Sequence, residues 1–113
     1  MNEFAAAGLL QAAALGREIL VITPRDQEAT AVLEDLVLLA GDEVGQVRRA
    51  KGASELRIRG TGGRIRLRSI RSQGHRGTAA DVVYLDGVDP TVEQTASLAA
   101  CVASRPGGRL VRA

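Results

Sequence analysis

Aromatic residues are scarce in this chain, which has one Phe, one Tyr and no Trp among its 113 residues. Apolar residues nevertheless make up 45% of the sequence, so its core has to be built from Leu, Ile, Val and Ala. The scarcity also argues against a surface that stacks the bases of single-stranded nucleic acid, because such surfaces use aromatic side chains. The length fits one domain, and we expect residues 1–113 to form it.

Cysteine, histidine and long apolar runs are scarce as well. The single cysteine, Cys101, excludes an internal disulfide, and its apolar neighbours predict a buried small side chain. One Cys and one His, His75, cannot form a zinc site without carboxylate help, so we expect no metal or other cofactor. The N-terminal apolar run lacks a basic leader and, at about ten residues, is too short to span a membrane. We therefore expect a cytoplasmic protein.

The positive charge is concentrated in one part of the chain. The formal net charge is only +2, yet ten of the fifteen Lys and Arg residues fall between Arg48 and Arg76. Glu55 is the one acidic residue in that window. Such segregation is typical of a surface that faces a polyanion.

Helix and strand patterns alternate along the chain. We predict helices over 2–15, 26–40 and from Asp89 to about Ser104, and strands at 19–22, 81–86 and 109–111. Asp26 or Thr23 is expected to cap the second helix, and Asp89 the third, with Pro90 in its first turn. This alternation predicts an α/β fold with a mostly parallel sheet covered by helices.

A segment of period two interrupts this alternation. Leu56, Ile58, Ile65 and Leu67 alternate with arginines on either side of the glycine-containing segment 60–63. The pattern predicts a β-hairpin with one apolar and one cationic face. The cationic face either contacts DNA phosphates or is simply a solvated surface; its arginines are Arg57, Arg59, Arg64, Arg66 and Arg68.

Five segments of the chain, taken in order, resemble one known family. They are Val47–Gly52, Glu55–Ile58, Gly63–Leu67, Arg71 to Gly77 and Asp81–Asp86. They are similar to the ATPase domain of the large terminase subunit of tailed bacteriophages, a P-loop motor with the RecA-like fold. The resemblance implies a RecA-like sheet and a location in the host cytoplasm if the chain is phage-encoded. It also implies that Arg76 lies near the nucleotide or DNA path, although a structural role in the loop is an equal reading. Arg71 is a further candidate contact for nucleic acid. The resemblance also aligns Thr23–Arg25 with a segment that can face DNA, although a simple strand-to-helix turn is an equal reading.

Three departures from the family pattern bear on catalysis. The family's Gly-Lys-Ser/Thr phosphate loop is expected where this chain begins, at Met1, and no such motif occurs elsewhere in the sequence. Asp86 matches the family's magnesium-binding Asp, but Gly87 stands in place of the Glu that activates water. The chain also ends near the family's coupling motif. Because positioning and electrostatics supply most of the rate in phosphoryl transfer, we expect a degenerate Walker B site and no enzyme activity.

The resemblance also implies that the phosphate-loop strand is missing. Its absence would leave the last strand as a bare edge beside Val82–Leu85, able to pair with another chain through Arg109, Leu110 and Val111. Two functions follow: binding of double-stranded DNA through the hairpin, or a protein-interaction module that self-associates or docks on a packaging motor or host protein. An ATPase half completed by a second chain, and a fragment or decaying gene without an independent role, are further alternatives.

Overall fold

Runs of β-branched and aliphatic residues form a six-stranded sheet, and Ala- and Leu-rich segments form three helices around it. The computed structural model describes residues 1–60, 62–72 and 78–112. The elements are α1 (Glu3–Ala14), β1 (Glu18–Thr23), α2 (Asp26–Ala40), β2 (Val44–Arg48), β3 (Ser54–Ile58), β4 (Arg64–Ser69), β5 (Val82–Leu85), α3 (Val92–Ala103) and β6 (Arg109–Arg112).

The strand order is β2-β3-β4-β1-β5-β6. Strand β1 is parallel to both β4 and β5, and β5 is parallel to β6, whereas β3 is antiparallel to β2 and β4. The predicted mostly parallel sheet with a β-hairpin is therefore confirmed. The last strand, β6, lies at one edge of this sheet, beside β5.

Strand β2 is the element that the sequence pattern did not reveal. Its residues are exposed or only half-buried, so the apolar alternation that marks β3 and β4 is lacking. Its pairing with β3 is also irregular between Val44 and Gln46. At this irregularity Gly45 approaches the backbone of Arg59 so closely that a Cβ atom would lie 3.1 Å from Arg59 Cα. A side chain there would have to displace the neighbouring backbone.

Helices cover the two faces of the sheet unequally. Helices α1 and α2 pack on one face, over a core that includes Ile19, Leu56, Ile65 and Leu67. Helix α3 packs on the other face, chiefly against β5 and β6. The second core beneath α3 contains Leu20, Ile22, Val83, Leu85, Leu98 and Cys101. The burial predicted for Cys101 is confirmed, and burial raises the pKa of its thiol.

Two predicted helix caps were wrong. Helix α3 begins after Thr91, whose hydroxyl accepts a hydrogen bond from the Gln94 amide while the Gln94 side chain accepts one from the Thr91 amide. This reciprocal pair replaces the predicted cap at Asp89, whose carboxylate instead accepts a 2.8 Å hydrogen bond from Arg112. At α2 the cap position is Arg25, which makes no side-chain capping bond.

None of the helices in the described part of the chain is both long and apolar enough to cross a membrane.

Candidate nucleic-acid interface

The period-two pattern of β4 divides its side chains between the two faces of the sheet. Ile65 and Leu67 are fully buried on the side of α1 and α2. Alternation therefore places the intervening arginines on the opposite face, where the cover of α3 extends over β6, β5 and the core residues of β1. Antiparallel pairing brings β3 alongside and adds Arg57 opposite Arg64. We call this group the arginine face: Arg57, Arg64, Arg66 and Arg68.

Two carboxylates neutralise part of the arginine face. Arg64 Nε lies 2.5 Å from Glu18 Oε2, and its Nη1 lies 3.3 Å from Glu55 Oε1. Arg57 Nε donates to Glu55 at 3.1 Å, and Arg66 Nη2 is 3.6 Å from Glu18. The hydrogen bond that Arg64 donates to Glu18 raises the pKa of Arg64. Arg64 is therefore part of an ion-pair network and is less available than its neighbours to an external anion.

Arg66 and Arg68 retain uncompensated positive charge. Arg68 donates to the carbonyl oxygens of Ser54 and Leu67, both at 2.8 Å, and forms no ion pair with any carboxylate of the described residues. Arg66 donates to the Ala79 carbonyl at 3.1 Å, and its buried Nε has no hydrogen-bond partner within the described ranges. Partial burial and then the neighbouring arginines lower the pKa of both side chains. A bound anion would relieve this repulsion.

The remaining arginines predicted from sequence lie around this group or outside the described residues. Arg59 is exposed just beyond β3, with Nη2 3.4 Å from the Val44 carbonyl, and Arg71 is exposed after β4. Arg76 and His75 fall outside the described residues. Sequence reasoning missed Arg48. It lies opposite Glu55 in the register of β2 and β3, and its side chain is exposed on the same face as the arginine face. Recognising β2 as a strand would have identified it.

The carboxyl ends of the parallel strands form a second candidate site. Asp86 follows β5, and its Oδ2 lies 3.5 Å from the main-chain nitrogen of Met1, just before α1. Gly87 adopts φ +68°, a left-handed conformation that a Glu could adopt only with strain. Asn2 precedes α1 and caps it, because its side-chain oxygen accepts a 2.7 Å hydrogen bond from the Ala5 amide.

These residues do not by themselves fit a magnesium-nucleotide site. They offer one carboxylate, Asp86, where magnesium sites in P-loop proteins combine a hydroxyl, a carboxylate and substrate phosphates. Across residues 1–60, 62–72 and 78–112, no group of three or more His, Cys, Asp or Glu side chains is placed to hold a metal ion.

The third candidate site is the sheet edge at β6. Arg109–Arg112 pairs with β5 on one side only, within the described part of the sheet. Leu110 and Val111 are half-buried against the two cores, while Arg109 and Arg112 are exposed. The outer main-chain groups of this strand are those that a further strand would pair with.

Comparison with known proteins shows a similarity in fold. No protein-family model matches the chain, and no curated protein matches it. Among solved structures, the chain is similar to the large terminase ATPase domain of Thermus phage P74-26, with a TM-score of 0.62 and 16% sequence identity. The similarity covers 98% of this chain and 53% of that one, so this chain spans about half the length of its structural neighbour. At this identity the comparison shows the fold alone, which is terminase-like and corresponds to about half of that domain.

Proposed function

We propose that the chain binds the backbone of double-stranded DNA through the arginine face. The observation that carries this proposal is the pair Arg66 and Arg68, two adjacent, partly buried cations that carboxylates do not fully neutralise. Burying like charges side by side is unfavourable unless a polyanion compensates them. The similarity to a large terminase ATPase domain supports a setting in which DNA is handled, and a role in phage DNA packaging belongs to this proposal.

The binding that this surface supports is led by phosphate contacts. Its arginines extend from regular strands, in which side chains two residues apart point to the same face of the sheet. The surface has no aromatic side chain for stacking, and the guanidinium groups match phosphate oxygens in charge and geometry. Recognition of the DNA should therefore depend weakly on sequence and strongly on salt.

The test is a fluorescence anisotropy titration of labelled duplex DNA at several salt concentrations from about 50 to about 200 mM. The double variant Arg57→Gln/Arg68→Gln should reduce the slope of log K against log salt by about 2, since each phosphate contact contributes about 0.9. The matched control is Arg49→Gln/Arg112→Gln, which removes two exposed arginines outside the arginine face that are paired with Glu34 and Asp89. No binding at the lowest salt, or an equal loss in the control, would refute the proposal.

A gain-of-function variant sharpens this test. Glu18→Gln removes the carboxylate that neutralises Arg64 and Arg66 but keeps a hydrogen-bonding side chain at that position. If DNA occupies the arginine face, its affinity should rise, because more positive charge faces the phosphates. An affinity that is unchanged or lower would place the DNA elsewhere.

We further propose that this chain alone does not hydrolyse ATP. The support is the left-handed turn at Gly87, which follows Asp86 where an active site would require a carboxylate on a side chain. Phosphate release should be undetectable with or without duplex DNA, and Gly87→Glu should not restore it. DNA-stimulated release that Asp86→Asn abolishes would contradict the proposal. An activity that appears only when a second chain is added would instead support completion by a partner.

The alternative function is protein interaction through β6, favoured by its open edge. Self-association through this strand predicts a molar mass in light scattering that rises with concentration. The Arg57→Gln/Arg68→Gln variant should leave that association intact, which distinguishes it from DNA binding. A monodisperse monomer at high concentration would count against self-association, and pull-downs with packaging or host proteins would then test the remaining partners.

A further inference from the structure

A groove between α1 and α2 exposes apolar side chains to solvent. It has a volume of about 330 Å³ and is lined by Met1, Glu3, Ala6, Asp35, Leu38 and Leu39. Leu38 is 84% exposed and Leu39 43% exposed. Clustered exposed apolar residues of this kind mark surfaces that contact other molecules.

The charges around the groove indicate what kind of molecule fits it. Glu3 and Asp35 line the groove, and neither forms an ion pair with any cation of the described residues. Elsewhere on α2, Glu28 and Glu34 are neutralised by Arg25 and Arg49. The groove therefore combines apolar contact area with uncompensated negative charge. A complementary segment has an apolar stripe flanked by Lys or Arg.

We propose that the α1–α2 groove binds a basic amphipathic helix of a protein partner. A helix laid along two packed helices offers apolar anchors at positions i, i+3, i+4 and i+7, and its remaining positions carry the cations. A second copy of this chain cannot supply such a segment from its described helices, because α1, α2 and α3 contain no Lys or Arg. The partner is therefore a different protein.

This groove lies on the opposite side of the sheet from the arginine face. Helices α1 and α2 pack over Ile65 and Leu67, whereas Arg66 and Arg68 extend from the other face of the same strand. The proposal rests on different residues from the DNA-binding proposal. Each can fail without the other, and both ligands can be bound at once.

The test uses a labelled synthetic helical peptide that has Leu at the anchor positions and Lys at the others. A scrambled peptide of the same composition, without the apolar stripe, is its control. In anisotropy titrations the helical peptide should bind at least about tenfold more tightly than the scrambled one, because only it presents aligned anchors. Equal binding of the two peptides would overturn the proposal.

Variants locate the binding on the groove. Leu38→Ser and Leu39→Ser should each weaken it by about fivefold or more, and Asp35→Asn should weaken it and reduce its salt dependence. Val92→Ser is the matched control, because Val92 is 89% exposed at the start of α3, away from the groove. Thermal unfolding should be nearly unchanged in all of these variants, since the side chains are exposed. The Arg57→Gln/Arg68→Gln variant should bind the peptide normally.

Two further outcomes would refute the proposal. If Val92→Ser weakens binding as much as Leu38→Ser does, the peptide binds apolar surface without discrimination. If light scattering shows a dimer that Leu38→Ser dissociates, a second copy of the chain occupies the groove.

Discussion

Leu20 of β1 and Arg66 of β4 lie side by side on one face of the sheet. They are register partners on adjacent parallel strands, yet Leu20 is 1% exposed in an aliphatic core beneath α3, and Arg66 carries a charge at the border of that core. The difference shows where the cover provided by α3 ends. Strand β1 is buried on both faces and has a continuous apolar sequence, whereas β4, covered on one face, has an alternating one.

Replacing the apolar residue by a charged one, and the charged residue by an apolar one, should change the free energy of unfolding by very unequal amounts. Leu20→Arg places an unpaired charge in an aliphatic core and should lower the free energy of unfolding by at least about 4 kcal/mol. Arg66→Leu removes a partly buried charge that has an unsatisfied Nε. The free energy of unfolding should therefore stay the same or rise, by about 1 kcal/mol or more. Urea unfolding followed by circular dichroism measures both.

The pair of variants also separates stability from function. Arg66→Leu should bind duplex DNA more weakly than the parent while unfolding at the same or a higher urea concentration. A large loss of stability in Arg66→Leu would show that its charge is essential to the fold. The contrast between the part of the sheet face that α3 covers and the part beyond it would then be wrong.

The two faces of β4 itself give a second, smaller contrast. Leu67 is fully buried under α2, and Leu67→Ala should cost about 2–5 kcal/mol through lost burial and the cavity that remains. Its neighbour Arg68 contributes two hydrogen bonds to carbonyl oxygens at a half-exposed position. Arg68→Ala should cost only about 1 kcal/mol. Equal costs in urea unfolding would indicate that the arginine face is as tightly packed as the covered face.

The sequence predicted the parts of this fold that have a strong period. The continuous apolar runs of β1 and β5 and the alternation of β3 and β4 correspond directly to burial on two faces or one. Strand β2 was missed because an exposed edge strand leaves little apolar pattern. Its position depends on pairing with β3, a tertiary contact that local sequence does not encode.

The candidate site was predictable to a similar degree. Alternation placed the arginines of β4 on one face, but it gave no sign of their partners. Glu18 contacts Arg64 across 46 positions in the sequence, and the carbonyl oxygens bound by Arg66 and Arg68 carry no sequence signal at all. How much charge remains available to a ligand could therefore be judged only from the three-dimensional arrangement.

The smallest expected effect on stability concerns the start of α3, the helix that covers part of this face of the sheet. Thr91 and Gln94 satisfy each other's backbone amides, so Thr91→Ala should cost about 1 kcal/mol in urea unfolding. Asp89→Ala removes an ion pair whose carboxylate is 95% exposed and should change stability by less than about 0.5 kcal/mol. The reverse order would mean that α3 begins at Asp89, as the sequence suggested. In that case α3 would gain part of a turn at its N-terminus, and the boundary between covered and open sheet would have to be redrawn there.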